Sequence, residues 1–213
     1  MRFEGRIYRP PSEAESVLIQ LTVGCSHNRC AFCAMYADKK HRVRPLEEVM
    51  EDVDASARLW PRARRVFVCD GDALSAGYDT FSALCGHIGR RFPALERISA
   101  YTNARDILRL SPEELARLRE LRFSLCYLGL ESGGAAVLER IRKGATPEDM
   151  VQMAEKARAA GMDLSAIVLL GAGGRALTAD HVTGTITVVN RMRPRYLSRS
   201  EERRVGKECR SRW

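Results

Sequence analysis

The sequence predicts an α/β fold in which six parallel strands alternate with amphipathic helices, a β/α barrel or partial barrel. Two observations carry that prediction. Short β-branched or apolar runs recur along the 213-residue chain, and between them the apolar positions switch to helical spacing. A third follows from the order of the elements: strand, helix, strand repeated six times requires right-handed crossovers and hence parallel pairing.

Strands are expected at Val17 to Val23, Arg65 to Cys69, Arg97 to Tyr101, Ser124 to Leu130 and Leu164 to Leu170, with a cut-off sixth at Arg195 to Ser198. Helix patterns fill the gaps. Leu46, Val49, Met50, Val53, Ala57 and Trp60 fall on one face of the first, and Phe81, Leu84, Cys85, Ile88 and Phe92 on one face of the next. Ser111-Pro112-Glu113-Glu114 reads as a helix start, because a serine cap, a proline at the first helical position and an acid at the third satisfy the free backbone donors. Thr146-Pro147-Glu148-Asp149 repeats the arrangement, and Gly161 suits the left-handed turn that ends its helix.

Between the first strand and the first helix lies Gly24-Cys25-Ser26-His27-Asn28-Arg29-Cys30-Ala31-Phe32-Cys33, three cysteines at C-x4-C-x2-C. Soft thiolates select zinc, copper(I) or iron–sulfur clusters. Structural zinc takes four ligands, so a zinc site needs His27 or His41 as well. A [4Fe–4S] cube held by three cysteines instead keeps one iron open for a bound molecule. Three thiols without metal is the remaining alternative. His27, inside the loop, also has the option of tuning a cluster by hydrogen bonding.

In a β/α barrel, functional groups stand at the carboxyl ends of the strands. The second run ends in Cys69-Asp70-Gly71-Asp72-Ala73, where glycine admits close backbone approach and a carboxylate pairs with an ammonium, unless the segment is a plain turn. The third ends in Tyr101-Thr102-Asn103-Ala104-Arg105-Asp106. The fourth ends in Tyr127-Leu128-Gly129-Leu130-Glu131, and a carboxylate at a buried strand end is costly unless something binds it. The fifth ends in Gly171-Ala172-Gly173-Gly174-Arg175-Ala176, a weak dinucleotide-type pattern. Cys69, Cys85, Cys126, His87, His181, Met150 and Met153 are assigned to packing or the surface.

The segment GCSHNRCAFCAMY resembles the radical S-adenosylmethionine (SAM) enzymes, in the subset with four residues between the first two cysteines, and the aromatic Phe32 before Cys33 fits that pattern. The resemblance covers roughly Val17 to Ser198 and is nearest to the grouping that includes the Elongator catalytic subunit, methylthiotransferases and nitrogenase-cofactor assembly enzymes. It implies a six-unit partial barrel, a [4Fe–4S] cluster on Cys25, Cys30 and Cys33, and SAM held by Phe32, Gly71, Asp72 and Glu131, with Asn103 a lesser candidate. Asp70-Gly71-Asp72 stands where that family has a Gly-Gly-Glu type motif for the SAM amino group; Asp72 is a methylene shorter and Asp70 replaces the first glycine. Arg142 and Lys143 lie where the family places a basic residue toward the SAM carboxylate, or else they form a solvated helix end. The glycine turn at Gly171 is implied to pass near the adenine. The implied chemistry is one-electron cleavage of SAM to a 5'-deoxyadenosyl radical that abstracts hydrogen from an unidentified substrate, with electrons from a flavodoxin- or ferredoxin-type donor. An iron–sulfur electron-transfer protein and a zinc-binding interaction domain are the alternatives.

Residues 199–213, RSEERRVGKECRSRW, lose the apolar periodicity of the rest and resemble translated sequencing adapter. The expected organisation is an N-terminal extension over 1–16, a radical SAM core over 17–198 cut short in its sixth strand, and an artefactual tail over 199–213, so that Cys209 is no ligand. The tail holds six basic and three acidic residues, +3 of the formal +8, which leaves +5 on the other 198. Arg62-Ala63-Arg64-Arg65 and Arg191-Met192-Arg193-Pro194-Arg195 lack interleaved aromatics and read as solvated helix ends, which argues only weakly for nucleic acid without excluding it. No apolar run approaches the roughly 18 residues of a membrane span and Met1 leads into polar sequence, so a soluble cytoplasmic protein is expected.

Overall fold

A computed structural model of the protein describes residues 1–200; Cys209 and the rest of 201–213 lie outside the described residues. The chain runs β1 (Val17–Gln20), β2 (Thr22–Val23), β3 (Arg42–Val43), α1 (Leu46–Leu59), β4 (Arg65–Cys69), α2 (Tyr78–Arg91), β5 (Arg97–Tyr101), α3 (Ala104–Arg109), α4 (Pro112–Glu120), β6 (Phe123–Glu131), α5 (Ala135–Arg140), α6 (Pro147–Ala159), β7 (Asp163–Leu169), α7 (Thr178–Met192) and β8 (Tyr196–Ser200). Six of these strands form one sheet in the order β1-β4-β5-β6-β7-β8, every pair parallel.

Alternation along the strands makes two cores. Val66, Val68, Ile98, Ala100, Cys126, Leu128 and Ala166 face the helices and join Val49, Val53, Phe81, Leu84, Met150 and Met153 in the main core. Residues one step away, Phe67, Cys69, Leu125 and Tyr127, face the concave side and pack with Leu18 and Tyr101. The helix starts read from sequence carry their chemistry: Ser111 with Glu114, and Thr146 with Asp149, each close a reciprocal cap. Gly161 adopts φ +74° just past α6.

Apart from shifts of one residue at the ends of β6 and β7, three features differ from the sequence expectation. The first strand is split, because the chain turns at Leu21 after β1, and β2 leaves the main sheet to pair antiparallel with β3. That turn aims the cysteine segment across the mouth of the sheet. The last strand is Tyr196–Ser200 instead of Arg195–Ser198, and Arg199 and Ser200 pair with Val168 and Leu169. Strand β6 carries two register shifts, one between its pairings with Ile98 and Ser99 and one between Gly129 and Glu131.

Residues 1–16 bind the same framework. Glu13 is wholly buried, and its carboxylate accepts from Arg97 Nη2 at 2.9 Å, Ser99 Oγ at 3.0 Å, Tyr127 Oη at 2.7 Å and Ser16 Oγ. These donors come from the amino-terminal half of β5, the middle of β6 and the segment before β1. Among the described residues no helix is long and apolar enough to cross a membrane.

Candidate cluster and cofactor site

Residues 24–41 connect β2 to β3 without a regular element, and Cys25, Cys30 and Cys33 all line one cavity of about 950 Å³ on the concave side. The loop is fixed by its own polar groups. Asn28, at φ +39°, donates its side-chain amide to the carbonyls of Tyr36 (2.9 Å) and Lys39 (3.3 Å), and Cys33 N donates to Cys30 O at 3.2 Å. Two further bonds tie the loop to the segment after α5: Ala31 N to Ile141 O at 2.9 Å, and His27 Nε2 to Arg142 O at 2.7 Å. A Cβ on Gly71 would lie 2.6 Å from Cys25 Cβ and 2.8 Å from the Tyr36 ring, so only glycine lets the loop close over the end of β4.

The donor set fits a cluster better than a single ion. Among the described residues, no three His, Cys, Asp or Glu converge as one metal ion would require, although the three thiols share one cavity wall. Zinc needs its sulfurs about 2.3 Å from a single point, whereas a [4Fe–4S] cube holds its cysteines apart on separate irons. The two imidazoles considered as a fourth ligand are engaged elsewhere, His27 on Arg142 O and His41 Nε2 on Ser75 Oγ at 3.3 Å. Burial pushes the Cys30 thiol up to about 11, Lys143 pulls it down, and the neighbouring thiols raise it again. Cationic iron is what such a thiol needs to ionise.

At the end of β4 the two aspartates behave differently. Asp70 is wholly buried at φ +75°, and it bonds Gln20, Gly24 and Lys39. Asp72 is also wholly buried, and its Oδ2 accepts from Asn103 Nδ2 at 2.7 Å, from Arg105 Nη2 at 3.4 Å and from Ser26 Oγ. Its carboxylate sits beneath the cavity instead of lining it, and Oδ1 is buried without a hydrogen-bond partner. The adjacent Asp106 is raised to about 7, first by burial and then by the Asp72 carboxylate, against the pull of Arg105 and Arg109.

At the end of β6, Leu130 is the extra residue of a bulge, and Glu131 follows it at φ +61°. Bulges of this kind re-aim a side chain beside a site. Here the Glu131 carboxylate turns to the cavity, 3.3 Å from Lys143 Nζ, and the pair lies over Gly129, where any Cβ would collide with both side chains. Phe32 packs against Val137, Leu169 and Ala172 and borders the cavity. Farther along the concave wall, Phe67, Tyr101 and Tyr127 meet edge to face at 5.2–6.0 Å.

Of the residues singled out in the sequence, Cys25, Cys30, Cys33, Phe32, Gly71, Asn103 and Glu131 line this cavity, and Asp72 does not. Lys143 joins it while Arg142 is exposed, and the turn from Gly171 to Ala176 contributes nothing to its wall. Cys69, Cys85 and Cys126 are buried, with thiols raised by burial, and His181 is a buried partner of Ser132 at 2.9 Å. Sequence reading did not single out Lys39, and Tyr36 and Arg105 fell within its motifs without a role assigned to them. A buried acid demands a counter-charge, so the acids of β4 were the available signal for Lys39 and Arg105.

Parallel β/α units with a three-cysteine loop at the carboxyl ends of the strands define a class of cluster-binding enzyme, and the family model of the radical SAM superfamily matches residues 19–186. The chain belongs to that superfamily of enzymes, whose members bind a [4Fe–4S] cluster and SAM. It is 26% identical over 186 residues to a tRNA-2-methylthio-N(6)-dimethylallyladenosine synthase of Fusobacterium nucleatum, covering 84% of this chain and 41% of that protein. A CDK5RAP1-like protein of Oryza sativa is 26% identical over 175 residues, covering 67% of this chain and 28% of that one. The chain therefore spans less than half the length of the curated relatives it matches. Among solved structures, the radical SAM methyltransferase TsrM of Kitasatospora setae, with cobalamin and a [4Fe–4S] cluster, superposes with a TM-score of 0.68 at 18% identity, covering 87% of this chain and 36% of that one. Coproporphyrinogen III oxidase (HemN) of Escherichia coli gives 0.65 at 15%, with 88% and 44% covered.

Proposed function

We propose that this chain is a radical SAM core that cleaves SAM reductively at a [4Fe–4S] cluster on Cys25, Cys30 and Cys33 and directs hydrogen abstraction at a substrate held in the concave cavity. The observation that carries the reading is the shared wall: three thiols from one loop and the polar ends of β4, β5 and β6 border one continuous space. When bound, the cluster and SAM supply a 5'-deoxyadenosyl radical.

The chain's own residues bind and orient. Lys143 offers its ammonium to a carboxylate of SAM, and Glu131, released from that pair, accepts from hydroxyl or ammonium donors. Asn103 presents a side chain to the cavity while its amide stays on Asp72, and Phe32 gives an apolar flank. The Phe67, Tyr101 and Tyr127 rings shield the reacting space from water. Asp72 acts from below: it holds Asn103, Ser26 and Arg105, and so positions the cavity wall in place of the direct SAM contact expected from its sequence position. A low-potential one-electron donor of flavodoxin or ferredoxin type completes the reading.

Anaerobic reconstitution with iron and sulfide tests it. A brown protein that releases 5'-deoxyadenosine from SAM under dithionite is the expected result. A brown protein without that product indicates electron transfer alone, and a colourless protein that retains zinc removes the cluster altogether.

A further inference from the structure

The cysteine loop begins at Gly24 and ends at Lys39, and one carboxylate grips both ends. Asp70 Oδ2 accepts from Gly24 N at 2.7 Å, and Lys39 Nζ lies 2.9 Å from Oδ1 and 3.0 Å from Oδ2. Gln20 Nε2 adds a third donor at 3.0 Å, and Lys39 Nζ spends its remaining bond on Arg6 O at 2.7 Å. The Asp70 side chain is fully buried and that of Lys39 only 5% exposed. Breaking one side of such a pair leaves an uncompensated buried charge, which is strongly destabilising.

Asp70 is also an improbable residue for its backbone. At φ +75° glycine is unstrained and aspartate is not. Strain held at this position needs a return elsewhere, and the return is the closed loop. The four-residue spacer between Cys25 and Cys30 joins the same closure, because Asn28, itself left-handed, sends its amide to the Lys39 carbonyl. Gly24 and Lys39 approach so closely that a Cβ on Gly24 would lie 3.2 Å from Lys39 Cβ.

We propose that Asp70 is a positioning residue: with Lys39 and Asn28 it forms a clasp that holds the sixteen residues 24–39 closed before any cluster arrives, so that the three thiols already face one cavity. The proposal rests on reading those thiols as cluster ligands, and its first measurement is made without iron. Pre-organisation of this kind removes ordering cost from the binding step.

Amide exchange is measured on the iron-free full chain for wild type, D70N, K39M, N28A and the double variant D70G/K39M, followed by anaerobic reconstitution with iron and sulfide. In D70N and K39M, exchange across 24–39 is expected to accelerate on the order of a hundredfold while α2 and α6 keep their rates. Iron bound after reconstitution falls at least about twofold, and the reduced-cluster EPR signal broadens. D70G/K39M, with no unpaired buried charge, recovers the wild-type melting temperature and still shows an open loop, which separates the clasp from the fold. Asn28 is exposed, so N28A folds normally and decides the matter if D70N does not, with roughly a tenfold acceleration confined to the loop. Wild-type exchange over 24–39 in D70N, K39M and N28A overturns the clasp, as does acceleration spread evenly over all helices. If wild type takes up no iron, the cluster reading fails, and the exchange data still decide whether the clasp exists.

Discussion

The two ends of the concave cavity treat buried carboxylates in opposite ways. Toward the amino-terminal side of the strands, Glu13 is saturated by donors from Arg97, Ser99, Tyr127 and Ser16. Toward the carboxyl side, Glu131 faces the cavity with one ammonium in reach and a left-handed backbone. Asn28, Asp70 and Arg142, three more non-glycine residues with positive φ, lie at that same end, whereas Arg122 and Arg193 take positive φ in the turns that lead into β6 and β8. A saturated network fixes a fold, whereas strain and unspent hydrogen-bonding capacity mark where a ligand completes the structure. One sheet thus keeps its stability at one end and its chemistry at the other.

The sharpest way to break this division is to remove a thiol. Cys25, Cys30 or Cys33→Ser should each abolish cluster binding, read as iron per chain, while Cys126→Ser at the buried face of β6 keeps iron and lowers only the melting temperature. Glu13→Ala should do the reverse. Removing the partner of Arg97 and of three hydroxyls costs about 3 kcal/mol in urea denaturation, and iron content stays at the wild-type level in the protein that remains folded. An equal loss of iron in Glu13→Ala would dissolve the distinction between the ends.

Smaller effects refine it. Glu131→Gln should weaken SAM binding roughly tenfold, about 1.4 kcal/mol, by equilibrium dialysis, with little change in melting temperature. Asp106 provides a pH test of the lower tier beneath the cavity. Its folded pKa, about 7, lies above its ordinary value of 3.8, so the stability it contributes is present below about pH 3.8 and is lost as pH rises through about 7. Asp106→Asn should flatten that part of the stability profile, measured as melting temperature between pH 4 and 8. A slope unchanged by the substitution would mean that Asp106 does not hold the proton.

Much of the fold was legible because the strands announce themselves by composition. Arg65–Cys69 and Arg97–Tyr101 are β-branched or small runs entered through an arginine, and their limits match the sequence reading residue for residue. The first strand was not legible in the same way, since Leu21 continues the apolar run while the backbone turns. Strand β6 is apolar on both faces, so its period does not disclose the two bulges. At the site, spacing placed acids at the strand ends but carried no information on direction, and Asp72 points down while Glu131 points in. Lys39 was invisible for a different reason: its charge is spent on a carboxylate 31 residues away.

The bulge at Leu130 gives the strand a parity. From Leu125 onward the residues of β6 alternate, with Leu125, Tyr127, Gly129 and Glu131 on the cavity side and Cys126, Leu128 and Leu130 on the helix side, so the presence of Leu130 is what keeps Glu131 in step with the cavity. A deletion there would send Glu131 toward the helical core with no change in amino-acid type. Over the last turn of this strand, then, changes in chain length rather than changes in residue identity are the efficient way to gain or lose an acid in the cavity.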